Sequence, residues 1–292
     1  MLKSLFGKFD VETVTTKTVE LIPTTDVQRL RVEIHNGHIT LRQWEQNLVR
    51  AVVTVTVASH ETETNTDRFW KLEQFGSNVT FEQQPNLNKL VDLKRVRIDV
   101  ELHLPRNVQA KWETHNGSVD ILEWYGDQTG STHNGSIRIA DIHGDVNLTM
   151  HNGTIDAERL SRDVTVESHS GDVSVREAGG DVKVSTHNGK IKLDGFAAAL
   201  RLVTHNGDID ARTTQPLAGE WGLSTHNGDI SLQVPADIEA QLRISTHRGK
   251  VRGTALPVQV SGHAQELQMT LGSGGREVSL HTHSGNITVD IA

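Results

Sequence analysis

Histidine recurs at a fixed spacing through most of this 292-residue chain. A His-Asn-Gly tripeptide, or a close variant of it, places imidazoles at His115, His133, His151, His169, His187, His205, His226, His247 and His283. The first five steps are 18 residues long, the next two are 21, and the last is 36, which is twice 18. Imidazole is a common metal ligand and titrates near neutral pH. If the repeat aligns these side chains, they form a column that could bind Zn²⁺ or Cu²⁺ or respond to protons.

A second interpretation of the histidines requires no function. A repeat that duplicates a favourable corner would stack the rings simply because each corner copies the last. No aspartate or cysteine completes a recognisable metal site near the repeated histidines in the sequence. Both interpretations stay open, and no cofactor is expected beyond adventitious Zn²⁺ or Cu²⁺ on the column.

Four aspartates form another periodic set, each just after a second type of corner. They are Asp127, Asp145, Asp163 and Asp181. Carboxylates at equal spacing would repel unless they are hydrated or bridged by a cation. Calcium-binding rolls use the pattern G-G-x-G-x-D, of which only Gly179-Gly180-Asp181 is reminiscent here. We therefore expect a solvated acidic edge.

Motifs and composition exclude several classes of function. The sequence has no G-x-S-x-G, phosphate-loop or H-E-x-x-H motif, so nothing indicates a hydrolase or nucleotide-binding site. It has no cysteine, which excludes disulfides and thiolate chemistry. Its formal net charge of −8 argues against nucleic-acid binding. We predict a protein that is not an enzyme, with a carbohydrate-active β-helix enzyme as the alternative.

The elements that carry these side chains are predicted to be short parallel strands. After each corner glycine, aliphatic residues occupy the second and fourth places, as in Val146 and Leu148 or Ile155 and Ala157. Such alternation is typical of strands, and a constant period predicts that they stack. The expected fold is all-β: a single-stranded β-solenoid, like a parallel β-helix or β-roll, with about 18 residues in each turn. Each turn is called a rung below.

Three sequence features make the chain similar to a known family. They are the repeated G-D-[IV]-x-[IVL] rungs, the strand-like segment from Val100 to Val108, and the final L-G-S-G-G-R-E-V-S-L-H-T-H-S-G-N-I-T-V. With these features the chain resembles the bacterial putative-adhesin family of β-solenoid domains. The resemblance implies a non-enzymatic binding or scaffold module, whose partner is a protein or a cell-envelope component.

The N-terminal part is less regular and is predicted to cap the solenoid. We divide the chain into an N-terminal entry and cap region at residues 1–104 and a repeat region at 105–292. Within the cap, Thr66 to Phe75 is the best helix candidate because Phe69, Leu72 and Phe75 would share one face. Residues 1–9 have an amphipathic spacing that either covers the solenoid end or makes a weak membrane contact. The sequence contains neither a transmembrane segment nor an export signal, which favours a cytoplasmic location, while an envelope-associated or exported protein is the open alternative.

The C-terminal residues are predicted to expose an open strand edge. Ile287, Val289 and Ile291 have the spacing of one more rung, and no proline or lysine follows them. Open edges recruit other chains, so we expect a homo-oligomer formed through this end. The segment from Ala255 to Gly275, rich in glycine near its end, is expected to be a looser rung or a bulged turn.

Overall fold

Strands make up nearly all of the regular structure in the computed structural model, which describes residues 11–23, 25–59, 65–84, 96–256 and 260–292. The N-terminal strands are β1 (Val11–Leu21), β2 (Arg29–Asn36), β3 (Ile39–Trp44), β4 (Val49–Ser59), β5 (Trp70–Phe75), β6 (Asn78–Gln83) and β7 (Val96–Pro105). The central strands are β8 (Gln109–Asn116), β9 (Val119–Tyr125), β10 (Gln128–His143), β11 (Val146–Leu160), β12 (Val164–Ala178), β13 (Val182–Asn188), β14 (Ile191–Asp194), β15 (Leu200–Asn206), β16 (Ile209–Arg212), β17 (Trp221–Asn227) and β18 (Ile230–Val234). The last strands are β19 (Ala240–Arg252), β20 (Val260–Leu271), β21 (Arg276–Ser284) and β22 (Ile287–Ile291). The prediction of an all-β fold is confirmed.

The central strands stack in parallel and in register, as in a solenoid. In the pairing of β10 with β11, Gln128 lies opposite Val146 and Ile137 opposite Ile155, so partners are 18 residues apart. Strands that precede the His-Asn-Gly corner form one ladder, and strands that follow it form a second ladder. The longer strands β10, β11 and β12 run through the corner and belong to both.

Alternating side chains from the two ladders enclose one continuous core. In β13 the pattern of burial is strictly alternating, with Val182 and Val184 inside and Lys183 exposed. The aliphatic columns predicted from the sequence are inside throughout this region, and Ile191 and Leu193 are at most 1% exposed. Because each inward residue contacts its counterparts in the rungs above and below, the core is a row of stacked layers.

The helix predicted over Thr66 to Phe75 is wrong. Only Thr66–Phe69 is helical, as a single 3-10 turn. The following residues form β5, which pairs antiparallel with β6 through a tight turn containing Gly76, whose φ is +57°. Trp70 and Leu72 pack against the core from one face of β5. Trp70 and Leu72 are two residues apart and therefore share one face of β5, whereas Phe75, expected on the same helix face as Leu72, is 88% exposed.

Antiparallel strands close the N-terminal end of the solenoid. β5 is the outer neighbour of β6 in the first ladder. In the second ladder β1 pairs with β4, and β4 pairs with β7, all antiparallel. β2 and β3 already stand in the same ladders as β8 and β9, so rungs begin inside residues 1–104. The division between residues 104 and 105 stays a prediction, and residues 1–9 lie outside the described part of the chain.

The open strand edge predicted at Ile287, Val289 and Ile291 is wrong, because β22 does not form the end of the solenoid. β21 lies between β17 and β19, and β22 lies between β18 and the end of β19. Ile287 and Val289 are therefore fully buried, and only Ile291 is partly exposed. The cause is the segment expected to be a loose turn, which instead contains β20. β20 forms an antiparallel hairpin with β19 and is the outermost strand of the ladder. The chain then turns back, and β21 pairs with the opposite, inner side of β19.

Candidate functional site

Ten imidazoles stack in one unbroken column, called the histidine ladder here. It contains all nine of the predicted histidines, with His35 added at its N-terminal end. Ring centroids of successive members are 4.5–5.3 Å apart, and the pair His133 and His151 is the closest at 4.5 Å. The order follows the strands rather than the sequence, since His283 stacks between His226 and His247. The spacing is that of paired strands.

The glycine of each corner permits the close stacking of neighbouring rungs. Gly135 has φ +156°. A Cβ atom on it would lie 1.8 Å from the carbonyl oxygen of Gly117 in the previous rung. Gly153 has the same relation to Gly135, at 1.6 Å. Any side chain at these positions would push the rungs apart, so glycine is required by the contact between corners as well as by the backbone angle.

The asparagine of each corner links one rung to the next. The side-chain amide of Asn134 donates to Oδ1 of Asn116 at 2.9 Å, and that of Asn152 donates to Oδ1 of Asn134 at 2.9 Å. The residue before each histidine points inward, and Thr186, one of these residues, is buried. Its counterpart Thr204 donates its hydroxyl to the carbonyl oxygen of Gly189 at 3.2 Å. These bonds hold successive corners in register and so align the imidazoles between them.

Two histidines of the ladder have a lowered pKa, so their protonation is disfavoured. The pKa of His115 is lowered by partial desolvation and by the neighbouring His35 and His133. The pKa of His283 is lowered by desolvation and then by His226 and His247, with smaller effects from other nearby cations. Like charges on adjacent rings repel, so the neutral form of His115 and of His283 is favoured.

Around the ladder, the described residues give no direct support to a metal site, and metal binding there stays a prediction. No group of three or more histidine, aspartate or glutamate side chains comes together there in a way that could hold a metal ion. His205 and His226 show why, since their rings are parallel within 2°. Ring nitrogens coordinate in the plane of the ring, so parallel rings direct their lone pairs side by side rather than toward one ion.

A shallow groove of about 980 Å³ runs beside the ladder from His115 to His226. Its second wall consists of the outward residue two places before each histidine, and we call the whole surface the histidine groove. These residues are Glu113, Ser131, Thr149, Glu167, Ser185, Val203 and Ser224. The groove therefore repeats ring nitrogens, and in most rungs a hydroxyl group, at every strand spacing.

The periodic aspartates have a structural role that the sequence analysis missed. Oδ1 of Asp127 accepts the backbone N–H of Asp145 at 3.0 Å, and Oδ1 of Asp163 accepts that of Asp181 at 2.9 Å. Asp181 in turn accepts the N–H of Ala199 at 3.0 Å. These three carboxylates thus each accept a backbone N–H of the following rung, which compensates for the repulsion expected between neighbouring carboxylates. A second set around Asp172 and Asp208 does the same at the other corner.

Another column of side chains gave no recognisable sequence signal. Glu123, Asp141, Arg159 and Glu177 all have positive φ of 52–58°. The Arg159 guanidinium donates to both carboxylate oxygens of Asp141, at 2.6 and 2.9 Å. This contact lowers the pKa of Asp141. A shared corner conformation occupied by charged residues is visible only once the rungs are aligned, because left-handed residues are usually glycine or asparagine.

No helix in the described residues is long and apolar enough to cross a membrane.

Comparisons with solved structures find proteins that align over nearly the whole chain but have low sequence identity and low TM-scores. A putative adhesin from Bacteroides fragilis NCTC 9343 is 12% identical, with a TM-score of 0.41, over 95% of this chain and 97% of that one. A putative cell adhesion protein from Clostridium sporogenes ATCC 15579 is 14% identical, with a TM-score of 0.28, over 95% of this chain and 100% of that one. A comparison with curated proteins finds no match.

A family model gives the decisive match. The model described as Toastrack DUF4097 matches residues 4–290, which is almost the whole sequence. The family resemblance inferred from the repeated rungs is confirmed by this match. The chain belongs to the Toastrack DUF4097 family.

Proposed function

We propose that this protein is a non-enzymatic binding or scaffold module that holds an extended partner along the histidine groove. The observation that supports this proposal is the groove itself, in which the same outward groups recur from His115 to His226. A straight array of equal hydrogen-bonding groups suits a partner that is itself linear and repetitive. A protein segment in extended conformation and a polymer of the cell envelope both have that form.

The spacing of the acidic groups argues against glycoside hydrolysis in this groove. Its lining includes two carboxylates, Glu113 and Glu167. They stand three rungs apart, roughly 14 Å at the spacing of paired strands. A hydrolytic pair has its carboxyl groups about 5–10 Å apart across the scissile bond. The carbohydrate-active alternative is therefore less favoured than binding without cleavage.

A panel of immobilised oligosaccharides and extended peptides tests the proposal. Ser131→Trp and Ser185→Trp would fill the groove, while Ser174→Trp and Ser231→Trp place the same bulk on the outward face of the second ladder. We expect ligands retained by the unaltered protein to be lost only with the first pair. Equal binding by both pairs, or cleavage products from the oligosaccharides, would overturn the proposal.

A second candidate function is a proton-responsive surface. The observation that favours it is the parallel stacking of ten imidazoles, which makes their protonation mutually unfavourable. Binding of Zn²⁺ or Cu²⁺ by the ladder stays a prediction, and metal analysis of untagged protein tests it. Retained metal at a whole-number ratio would support a metal-dependent role.

Assembly also belongs to the proposed scaffold role, but at a different edge from the one first expected. We propose that two copies pair through β20, whose outer side has no partner strand in the described part of the chain. Across its exposed positions, Gln268 and Thr270 are uncharged and Glu266 is the one acidic residue. The edge strand β5 at the other end carries the ion pair Lys71–Glu73. Charged edges resist pairing, so β20 is the less protected of the two.

A further inference from the structure

We propose that the histidine groove binds a linear acidic polysaccharide, laid across the strands along the ladder, when the imidazoles are protonated. This inference rests on the proposed binding function of the groove and names the class of its ligand. Four features carry it: the linear arrangement of titratable groups, the charges around them, the hydroxyl groups beside them, and the inaccessibility of the ring faces.

Protonation would convert the ladder into a straight line of cations. Ten rings separated by 4.5–5.3 Å span nine strand spacings, roughly 43 Å. Neighbouring imidazolium ions at this distance repel each other. A polymer with carboxylate or phosphate groups along its length would relieve that repulsion, so its binding and the uptake of protons favour each other.

The fixed charges around the ladder leave it positive once its rings are protonated. The acidic groups beside it are Glu33, Glu113, Glu167, Asp172, Asp208 and Asp229. Three more stand next to charged members of this surface: Glu82 opposite Glu33, Asp210 beside Lys190, and Glu277 beside Arg243. The bases on the strands leading to the corner are Arg31, Lys111, Lys183, Arg201 and Arg243. Beyond the corner are Arg248, Lys190 and Lys250, and two further titratable rings, His38 and His281, flank the column.

Several of those acids are already engaged with groups of the protein. Glu33 is paired with Arg31 at 2.8 Å, and Asp172, Asp208 and Asp229 accept backbone N–H groups of the next rung. While the rings are neutral, the surface carries charges of both signs and has little attraction for a polyanion. Each ring that takes up a proton adds a positive charge to it, and a bound polyanion would favour that uptake.

Hydroxyl groups beside the central rings favour a sugar polymer. His133 and His151 have Ser131 and Thr149 in the groove wall, and Ser136 and Thr154 follow just beyond the corner. These neutral groups can donate to and accept from the hydroxyls of a glycan. The acidic groups of that glycan would meet the rings.

The accessibility of the rings argues against a nucleic acid as the ligand. Proteins that bind single strands stack the bases on exposed aromatic faces. Here each ring face covers the next ring, with His226 and His283 parallel within 1° at 4.7 Å. The groove lining contains no Phe, Tyr or Trp. Only ring edges face the solvent along the column, and edges make hydrogen bonds and ion pairs.

Calorimetric titration of the full chain with polygalacturonate tests the inference. The measurements are made at about pH 5 and about pH 7.5, below and above the ordinary histidine pKa, and at about 50 mM and about 200 mM salt. We expect roughly tenfold or tighter binding at the lower pH, weakened by salt. Repeating the titration in buffers of different ionisation enthalpy should reveal proton uptake on binding.

Substitutions inside and outside the ladder provide matched variants. His133→Gln with His151→Gln and His187→Gln removes three titrating rings while keeping polar side chains at those corners. The control is His103→Gln with His143→Gln, which alters two rings outside the ladder: His103 lies tilted beside Trp44, and His143 stacks on Tyr125. We expect the pH dependence of binding to fall only in the first variant. Proton uptake by the unaltered protein remains decisive if the ladder variant fails to fold.

Oligothymidylate and a neutral linear glucan serve as comparison ligands in the same titrations. Equal affinity at both pH values, no binding of polygalacturonate, or the same loss in both variants would overturn the inference. Tighter binding of oligothymidylate than of polygalacturonate would replace the glycan by a nucleic acid and also overturn it. A neutral linear glucan that binds equally well at both pH values would overturn the acidic ligand while leaving the groove as a binding surface.

Discussion

At the scale of single residues, this protein repeats one corner whose members have separate tasks. Glycine permits contact between rungs, asparagine links them by hydrogen bonds, and histidine is left facing the solvent. At several corners, such as those of Thr204 and Thr225, the inward threonine donates its hydroxyl to a backbone carbonyl of a neighbouring corner. The imidazole is therefore the member whose identity is least explained by the fold, which is the reason for assigning it the binding role.

Acidification should destabilise the fold through the ladder. The pKa values of His115 and His283 are lowered from 6.5 in the folded protein, so the unfolded chain binds more protons just below that pH. Stability is thus fully present above about pH 6.5 and is lost as the pH falls toward the lowered values. We expect Tm to drop between about pH 7.5 and about pH 5.5, and to drop less in His115→Asn. An equal drop in both proteins would contradict the role of His115.

The corner glycines should tolerate no side chain. In Gly135→Ala the new Cβ would lie 1.8 Å from a backbone oxygen of Gly117, so the rungs must separate. We expect the free energy of unfolding to fall by well over 1 kcal/mol, measured by urea denaturation. Gly222→Ala is the control, since its Cβ would be 3.8 Å from the nearest atom. Similar losses in the two variants would show that contact between corners is not the cause.

At the scale of elements, the strands are defined by alternation and joined by register. Val182 is 2% exposed and Lys183 is exposed, although both belong to β13. This difference comes from the direction of the side chain alone, because successive residues of a strand point to opposite faces.

A buried charge in β13 should disrupt several rungs. Val182→Asp places an unpaired carboxylate in the aliphatic column, with a cost of about 4 kcal/mol or more in the free energy of unfolding. Lys183→Ser should change it by less than about 0.5 kcal/mol. Thermal melting followed by circular dichroism compares the two. Comparable losses would mean that the register of β13 differs from the one described.

At the scale of the whole molecule, the solenoid is closed at both ends by strands that run against the stack. β1 and β5 cover the N-terminal end, and β20 covers the other. The C-terminal strand β22 is an internal member of its ladder. Its apolar residues are thus part of the core.

Charges in β22 and β20 should have different effects. Ile287→Lys with Val289→Lys should unfold the C-terminal rungs, because both side chains are fully buried. Gln268→Lys with Thr270→Lys should leave the melting temperature nearly unchanged and prevent pairing of two chains through β20. Sedimentation at several concentrations measures the association. A protein that is monomeric without substitution would contradict the proposed dimer.

The sequence alone determined the strands of the repeat, the inward and outward sides of each, and the alignment of the histidines. These features follow from local rules, since side-chain direction alternates along a strand and an equal repeat places equal residues at equal heights.

Tertiary structure decided what the repeat does not encode. The 36-residue step from His247 to His283 is compatible with a rung that lacks a histidine, or with a chain that turns back toward the earlier rungs. In the structure β20 pairs on the outer side of β19, and β21, which carries His283, therefore pairs on its inner side. The hairpin at Gly76 likewise replaced a helix, and the corner aspartates acquired backbone partners one rung away. Each of these outcomes depends on which strand edge is free to pair, and that is a property of the assembled ladders rather than of any one segment.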